Sequence, residues 1–253
     1  MIDDLQAISN RRFHHGSIIY DFHHREIDPA FLDNPTIRKL NRYIEMIQNE
    51  DFPVALFNNP SIPRASRMRI ANLEHVQKTY LQHYLFEAHL VERITPDQTP
   101  IPSYVQDVFR SYKEIAPATK PNHEPVLKNI LLRDKRSVAI ELPIWRVTGL
   151  KKDSLTGHID LLQVEKQDEG RYEIKILDYK PEGEDKFLFA LPQIALYGFM
   201  MREKLSPDEH CDLSCYIFDK KIVWKFKPDI LQQLDDKLAH YNVPRHWMTF
   251  LSN

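Results

Sequence analysis

Between Tyr172 and Lys180 every second residue is apolar until the alternation runs into charge: Tyr172, Ile174 and Ile176 are followed by Asp178 and Lys180. Period-two spacing puts these five side chains on one face of a strand, so a buried apolar row ends in a carboxylate and an ammonium. Such a face belongs to a folded interior at one end and to a polar site at the other. The preceding stretch, Gly157-His158-Ile159-Asp160-Leu161-Leu162, repeats the device, because Asp160 shares parity with Leu162 and Val164. Asp168-Glu169-Gly170 reads as the hairpin turn between them, which sets the strands side by side and brings Asp160 near Asp178. Two neighbouring carboxylates repel unless a cation sits between them, and a hard divalent ion such as Mg2+ suits oxygen ligands. Lys180 beside that ion can orient or help deprotonate a water and stabilise charge on a phosphate, which is the equipment for phosphodiester hydrolysis. Taken alone, Asp178-x-Lys180 is also the pattern of an ion pair at a wet strand end.

Glycine and proline divide the chain. Only Gly16 precedes Gly149, so hairpins are expected mainly in the second part. The first part reads as helices between proline-rich breaks: Pro35 to Asp51, with Asn34 as N-cap; Ser66 to Val91, the longest; and Tyr104 to Ile115. Beyond Pro117, Pro121 and Pro125 the period changes to two. Strands are expected at Ser137 to Val147, with Glu141 on the parity opposite Ile140 and Leu142, then at Thr156 to Lys166 and Arg171 to Tyr179. A helix over Lys186 to Lys204 follows, its regular part starting near Leu191 to accommodate Pro192. Two short strands, Leu213 to Phe218 and Ile222 to Phe226, and a helix from Pro228 to Tyr241 come last. The expectation is a mixed α/β (α+β) fold: a mainly helical part, 1–125, and a core, 126–253, with a central mixed sheet flanked by helices.

At 253 residues and 42% hydrophobic content the chain can bury an ordinary core, and no apolar run is long enough to span a bilayer. No membrane association is expected, and a cytoplasmic location is. The formal charge of -2 gives no global attraction for nucleic acid, leaving that task to local basic groups or to metal ions. Lys128, Arg133, Lys135, Arg136, Arg146, Lys151 and Lys152 are candidates to follow a phosphate backbone, or else form a solvated face. Phe13, Tyr20 and Phe22 with Arg11 are candidates to stack on single strands. The pairs His14-His15 and His23-His24 lack partners at metal-ligand spacing and read as surface or nucleic-acid-facing groups. Cys211 and Cys215 read as free thiols.

Gly157-x-Ile159-Asp160, then Asp178-Tyr179-Lys180, then Gln193-x-x-x-Tyr197 resemble, in order, the signature segments of RecB-like nucleases of the PD-(D/E)XK superfamily. That group includes CRISPR-associated adaptation nucleases and the exonuclease domains of recombination helicases. The resemblance covers roughly the second half of the chain. It implies a restriction-endonuclease-like core and an exonuclease-like, metal-dependent DNA nuclease acting through a metal-activated water in repair or recombination. Mg2+ or Mn2+ would be held by Asp160, Asp178 and the backbone carbonyl of Tyr179, with Lys180 catalytic. Gln193 and Tyr197 would position the lysine, the water or the phosphate. Glu141 matches an acidic residue on the preceding strand, and His75 is the best match to an upstream metal-binding histidine. The implied partner is DNA, single-stranded or at duplex ends, with homo-oligomerisation left open. Many relatives carry four cysteines for an iron–sulfur cluster; two cysteines cannot supply it, so no cluster is expected. The alternatives are a nucleic-acid-binding subunit of the same fold with little or no turnover, an enzyme acting on another phosphoester, and a structural α/β protein.

Overall fold

The period-two segments after residue 136 form an antiparallel meander, β4 (Ser137–Arg146), β5 (Leu155–Lys166) and β6 (Tyr172–Tyr179). The computed structural model describes residues 8–116, 118–147 and 154–251. After β6 the chain crosses the sheet through α6 (Gly183–Leu205) and returns in β7 (Cys211–Phe218), parallel to β6 with Asp178 opposite Ile217. A parallel neighbour requires a long connection, and the helix supplies it. β8 (Val223–Phe226) then turns back antiparallel to β7.

α6 begins at Gly183 and carries Pro192 within it, so the expected start near Leu191 is two turns too late. Proline in a helix interior removes one backbone hydrogen bond. Here Leu188, Leu191, Ile194, Ala195, Leu196, Met200 and Met201 are all buried, and that packing outweighs the local loss.

The first 125 residues contribute helices α1 (Pro35–Gln48), α2 (Val54–Phe57), α3 (His75–Glu87) and α4 (Ile101–Ile115), but also three strands of the same sheet. β1 (Ile8–His15) and β2 (Ile18–Arg25) form a hairpin that joins β4 through His23 opposite Ile140, and β3 (Val91–Ile94) pairs with β8 at the far edge. The sheet order is β1-β2-β4-β5-β6-β7-β8-β3. Gly16, with φ +66°, takes the first position of the two-residue β1–β2 turn, where positive φ suits glycine. The glycine-poor part of the chain therefore contains a hairpin after all. The long helix expected over Ser66 to Val91 shrinks to α3: Asn72 has φ +63°, Gln77 accepts a 3.0 Å hydrogen bond from the Glu74 N–H to start the helix, and His89 at φ +53° ends it. Val91 belongs to β3 instead.

Helices cover both faces. One layer holds α1, α6 and α7 (Ile230–His240); the other holds α4 and α5 (His123–Arg133). Leu162, Val164, Ile174 and Ile176 face the α6 layer, while Leu161 and Leu177 face α5. The meander departs from simple alternation at one point. The cross-strand pair Ile140 and Leu161 packs under α5, whereas the next pair, Leu142 and Ile159, packs in the α6 layer. Glu141 and Asp160 lie between these pairs, and Glu141 has φ +53°, inside a strand. Ile140 and Leu142 therefore do not share a face, contrary to regular parity. Among the described residues no helix is long and apolar enough to cross a membrane.

Candidate functional site

β5 delivers Asp160 from its middle, where its ladder with β6 stops, and β6 delivers Asp178 and Tyr179 at its end, with Lys180 directly after. Tyr179 N–H donates to Asp160 Oδ2 at 3.1 Å, which ties the first carboxylate to the strand that carries the second. The Lys180 ammonium pairs with Asp178 Oδ2. From α6, the Gln193 amide donates to Asp178 Oδ1 at 3.3 Å and to the Tyr197 hydroxyl oxygen at 3.1 Å. The 193/197 spacing is one helical turn, so both side chains point at the same place. The glycine at 157 has a steric reason: a Cβ there would lie 3.1 Å from the Tyr197 hydroxyl oxygen and closer still to its ring. Five residues expected to form a site, Asp160, Asp178, Lys180, Gln193 and Tyr197, are thus joined in one network.

The electrostatics are those of crowded acids. Burial pushes the Asp178 carboxyl up, Asp160 pushes it further, and Lys180 pulls back, leaving it at about 6. Asp160 is raised by burial against the opposing pull of Lys180 and the Tyr179 N–H. Glu141 is driven to about 8, by burial first and then by Asp160 and Asp178. Burial alone would lower Lys180, but Asp178 and Asp160 outweigh it and the net shift is upward. Tyr197 is raised well above the ordinary phenol value, chiefly by burial.

These groups suit a hard cation. Asp178 Oδ2 is buried and among the described residues its polar partner is the Lys180 ammonium, so a further lone pair has coordinating capacity to spare. A positive ion would relieve the repulsion that raises Glu141 and Asp178. Among the described residues, no three His, Cys, Asp or Glu side chains are gathered closely enough to make a metal-binding group by themselves.

Other expected residues fall elsewhere. His75 is exposed at the first turn of α3, hydrogen-bonded with Thr79, and makes no hydrogen bond or ion pair with either aspartate among the described residues. The histidine that reaches the site is His123, at the start of α5, with Nε2 3.9 Å from Asp160 Oδ2 and its ring edge-on to Tyr179 at 5.2 Å. Its pKa is lowered by burial, against a raising effect of Asp178. It follows a proline-rich break and opens α5, whose buried Val126, Leu127, Ile130 and Leu131 recur at helical spacing; that spacing is the signal that could have placed a histidine at this helix start.

Arg146 is mostly buried: its guanidinium donates to the Phe250 carbonyl, pairs with Glu203 at 3.2 Å and lies over the Phe199 ring, so it does not face a nucleic acid. Lys151 and Lys152 lie outside the described residues. Lys128, Arg133 and Arg136 are paired with Glu124, Asp107 and Asp134. Phe13 and Phe22 are buried in the core and Arg11 pairs with Glu50, leaving Tyr20 as the aromatic near the site, stacked on His158 at 3.7 Å. Of the paired histidines only His14 is fully at the surface. His15 is buried against His158, with Nδ1 and Nε2 2.6 Å apart, and His23 and His24 are half-buried because the hairpin turns one side towards the core. The two cysteines are buried free thiols. Compared with known proteins, the chain matches no family model, and no curated protein matches it.

Proposed function

We propose that this chain is a divalent-metal-dependent DNA nuclease, exonuclease-like, built on a RecB-like PD-(D/E)XK core. The observation that carries the reading is the network of Asp160, Asp178, Lys180, Gln193 and Tyr197 at one end of the meander. Two neighbouring acids raised by burial, Asp178 also by repulsion from Asp160, with a lysine beside them, are unfavourable as mere structure and useful as a cation and phosphate site. The order α5, β4, β5, β6, α6, β7, with β7 parallel to β6, also supports the superfamily reading.

Asp160, Asp178 and the Tyr179 carbonyl would hold Mg2+ or Mn2+, with Glu141 and His123 at the margin; the ion would polarise the phosphate and lower the pKa of water. The chain's own groups do the rest. Lys180, held charged by the two aspartates, orients the attacking water and offsets negative charge as it grows on the phosphate. Gln193 holds Asp178 and Tyr197 in register, and the Tyr179 N–H fixes Asp160. Purified protein should degrade labelled DNA with Mg2+ or Mn2+, and Asp178→Ala or Lys180→Ala should lower the rate by at least about a hundredfold while the fold persists. Cleavage that survives both changes would sink the site. A nucleic-acid-binding subunit with little turnover is the second reading, favoured by the Lys180 ammonium resting on the same Asp178 oxygen that an ion would use. It predicts DNA binding with no metal-dependent degradation by the parent chain.

A further inference from the structure

The segment after α2 brings arginines together without carboxylates beside them. Arg64 donates to the Tyr20 hydroxyl at 3.3 Å and to the His15 carbonyl at 3.0 Å, but to no acid among the described residues. Arg67 is exposed, and among the described residues it has no ion-pair partner. Arg69 spends its Nε on the Ser66 carbonyl at 2.8 Å and lies over the Phe189 ring. Several arginines elsewhere meet acids, Arg12 with Asp21, Arg136 with Asp134 and Arg202 with Asp229, whereas Arg25 and Arg38 are held by backbone carbonyls. A half-buried guanidinium without a counter-charge is costly unless an anion visits it, and its planar fork fits a phosphate.

Arg64 and Arg67 line a cavity of about 260 Å³ between this segment and the β1–β2 turn, with Asn58, Phe57 and Ile18 on its other walls. That is smaller than the usual pocket for a whole small-molecule ligand. On the same hairpin tip Ile18 is 45% and Ile19 55% exposed, an unusual pair of bare aliphatics. The segment is fixed to the site's own strand. Thr156 N–H donates to the Pro63 carbonyl at 3.1 Å, and the backbone of Arg64 bridges to Thr156, four positions before Asp160. At strand spacing this is roughly 13 Å, the reach of a short run of nucleotides in an extended single strand. Tyr20 spans the gap, because it bonds Arg64 and also lines a second cavity of about 150 Å³ with Glu141.

The geometry points to a second phosphate subsite: Arg64 and Arg67 hold a non-scissile phosphate of a single DNA strand while Ile18 and Ile19 rest on the adjoining sugar or base. The subsite sets how far the strand advances past Tyr20 towards the carboxylates. This rests on the nuclease reading.

The test measures binding of fluorescein-labelled single-stranded DNA across a salt series, using Asp178→Asn protein so that the probe stays intact, alongside cleavage by the otherwise unaltered chain. Arg67→Ala, whose side chain is exposed, and Arg64→Lys, which keeps the charge and loses the fork, are compared with Arg171→Ala at the opposite end of β6. The expected result is binding weakened about tenfold by Arg67→Ala, with the salt slope reduced by about one and product lengths shifted, while Arg171→Ala matches the parent. Thermal unfolding of each variant separates a lost contact from a lost fold. If the parent cleaves DNA but both subsite variants bind, respond to salt and cut as the parent does, the subsite is overturned and the nuclease reading stands. If the parent neither binds nor cleaves DNA, both are overturned.

Discussion

Asp178 is the residue on which stability and activity pull apart. Its carboxyl is buried and sits at about 6 where an exposed aspartate would titrate near 3.8, so its charge works against the metal-free fold. Asp178→Asn should therefore raise metal-free stability by about 1–3 kcal/mol, or several degrees in melting temperature, while abolishing cleavage. Added Mn2+ should stabilise the parent and leave the variant unmoved; calorimetric scans with and without the ion measure both effects. Gly157 is the complementary case, a position with no chemistry of its own. Gly157→Ala drives a methyl group into the Tyr197 ring, which is buried and cannot retreat. A cost of about 1–3 kcal/mol in denaturant unfolding is expected, together with a fall in turnover as the Gln193 and Tyr197 contact is disturbed.

At the scale of elements, two helix starts exchange roles: α3 opens with a histidine that the family resemblance favours, and α5 opens with the one that stands beside Asp160. His123→Ala should weaken Mn2+ binding, read by calorimetry, by about tenfold or more, whereas His75→Ala should leave it unchanged. The meander, α6 and β7 were legible because long apolar rows with period two, or apolar on all sides, leave little freedom, and the same rows made Asp160, Asp178 and Lys180 conspicuous as interruptions. The β1–β2 hairpin was hidden because its outward positions are mostly polar and only Phe13, His15 and Phe22 are buried. β3 is four residues long, too short for any period, and its place is fixed by β8 rather than by itself. Glu141 was assigned to a regular face because periodicity assumes an even strand. Its left-handed backbone, worth on the order of 1 kcal/mol or more of strain, is invisible to such a rule and turns the strand at the site.

Over the whole molecule, opposing titrations share one pH range. His15 is lowered to about 4, mainly by burial, so the unfolded chain binds its proton more readily and the stability it provides above 6.5 is lost as pH falls towards 4. Asp178, raised to about 6, acts in the opposite sense: its contribution is full below 3.8 and is lost as pH rises through 6. Glu141 follows the same sign as Asp178 but extends to about 8. Metal-free protein should therefore lose about 2 kcal/mol between pH 6.5 and 8, and Glu141→Gln should flatten that slope in urea unfolding curves. The two ends of the sheet carry a different consequence. Strand β3 leaves the ribosome long before β8, its only strand partner among the described residues, because Val91 to Ile94 must wait for Val223 to Phe226. β1 and β2 can close on each other at once, yet they gain a third strand only when β4 has been made. Synthesis from the N-terminus thus makes the borders of the sheet before its middle, and the nascent chain carries unpaired strand edges until nearly the last strand is complete.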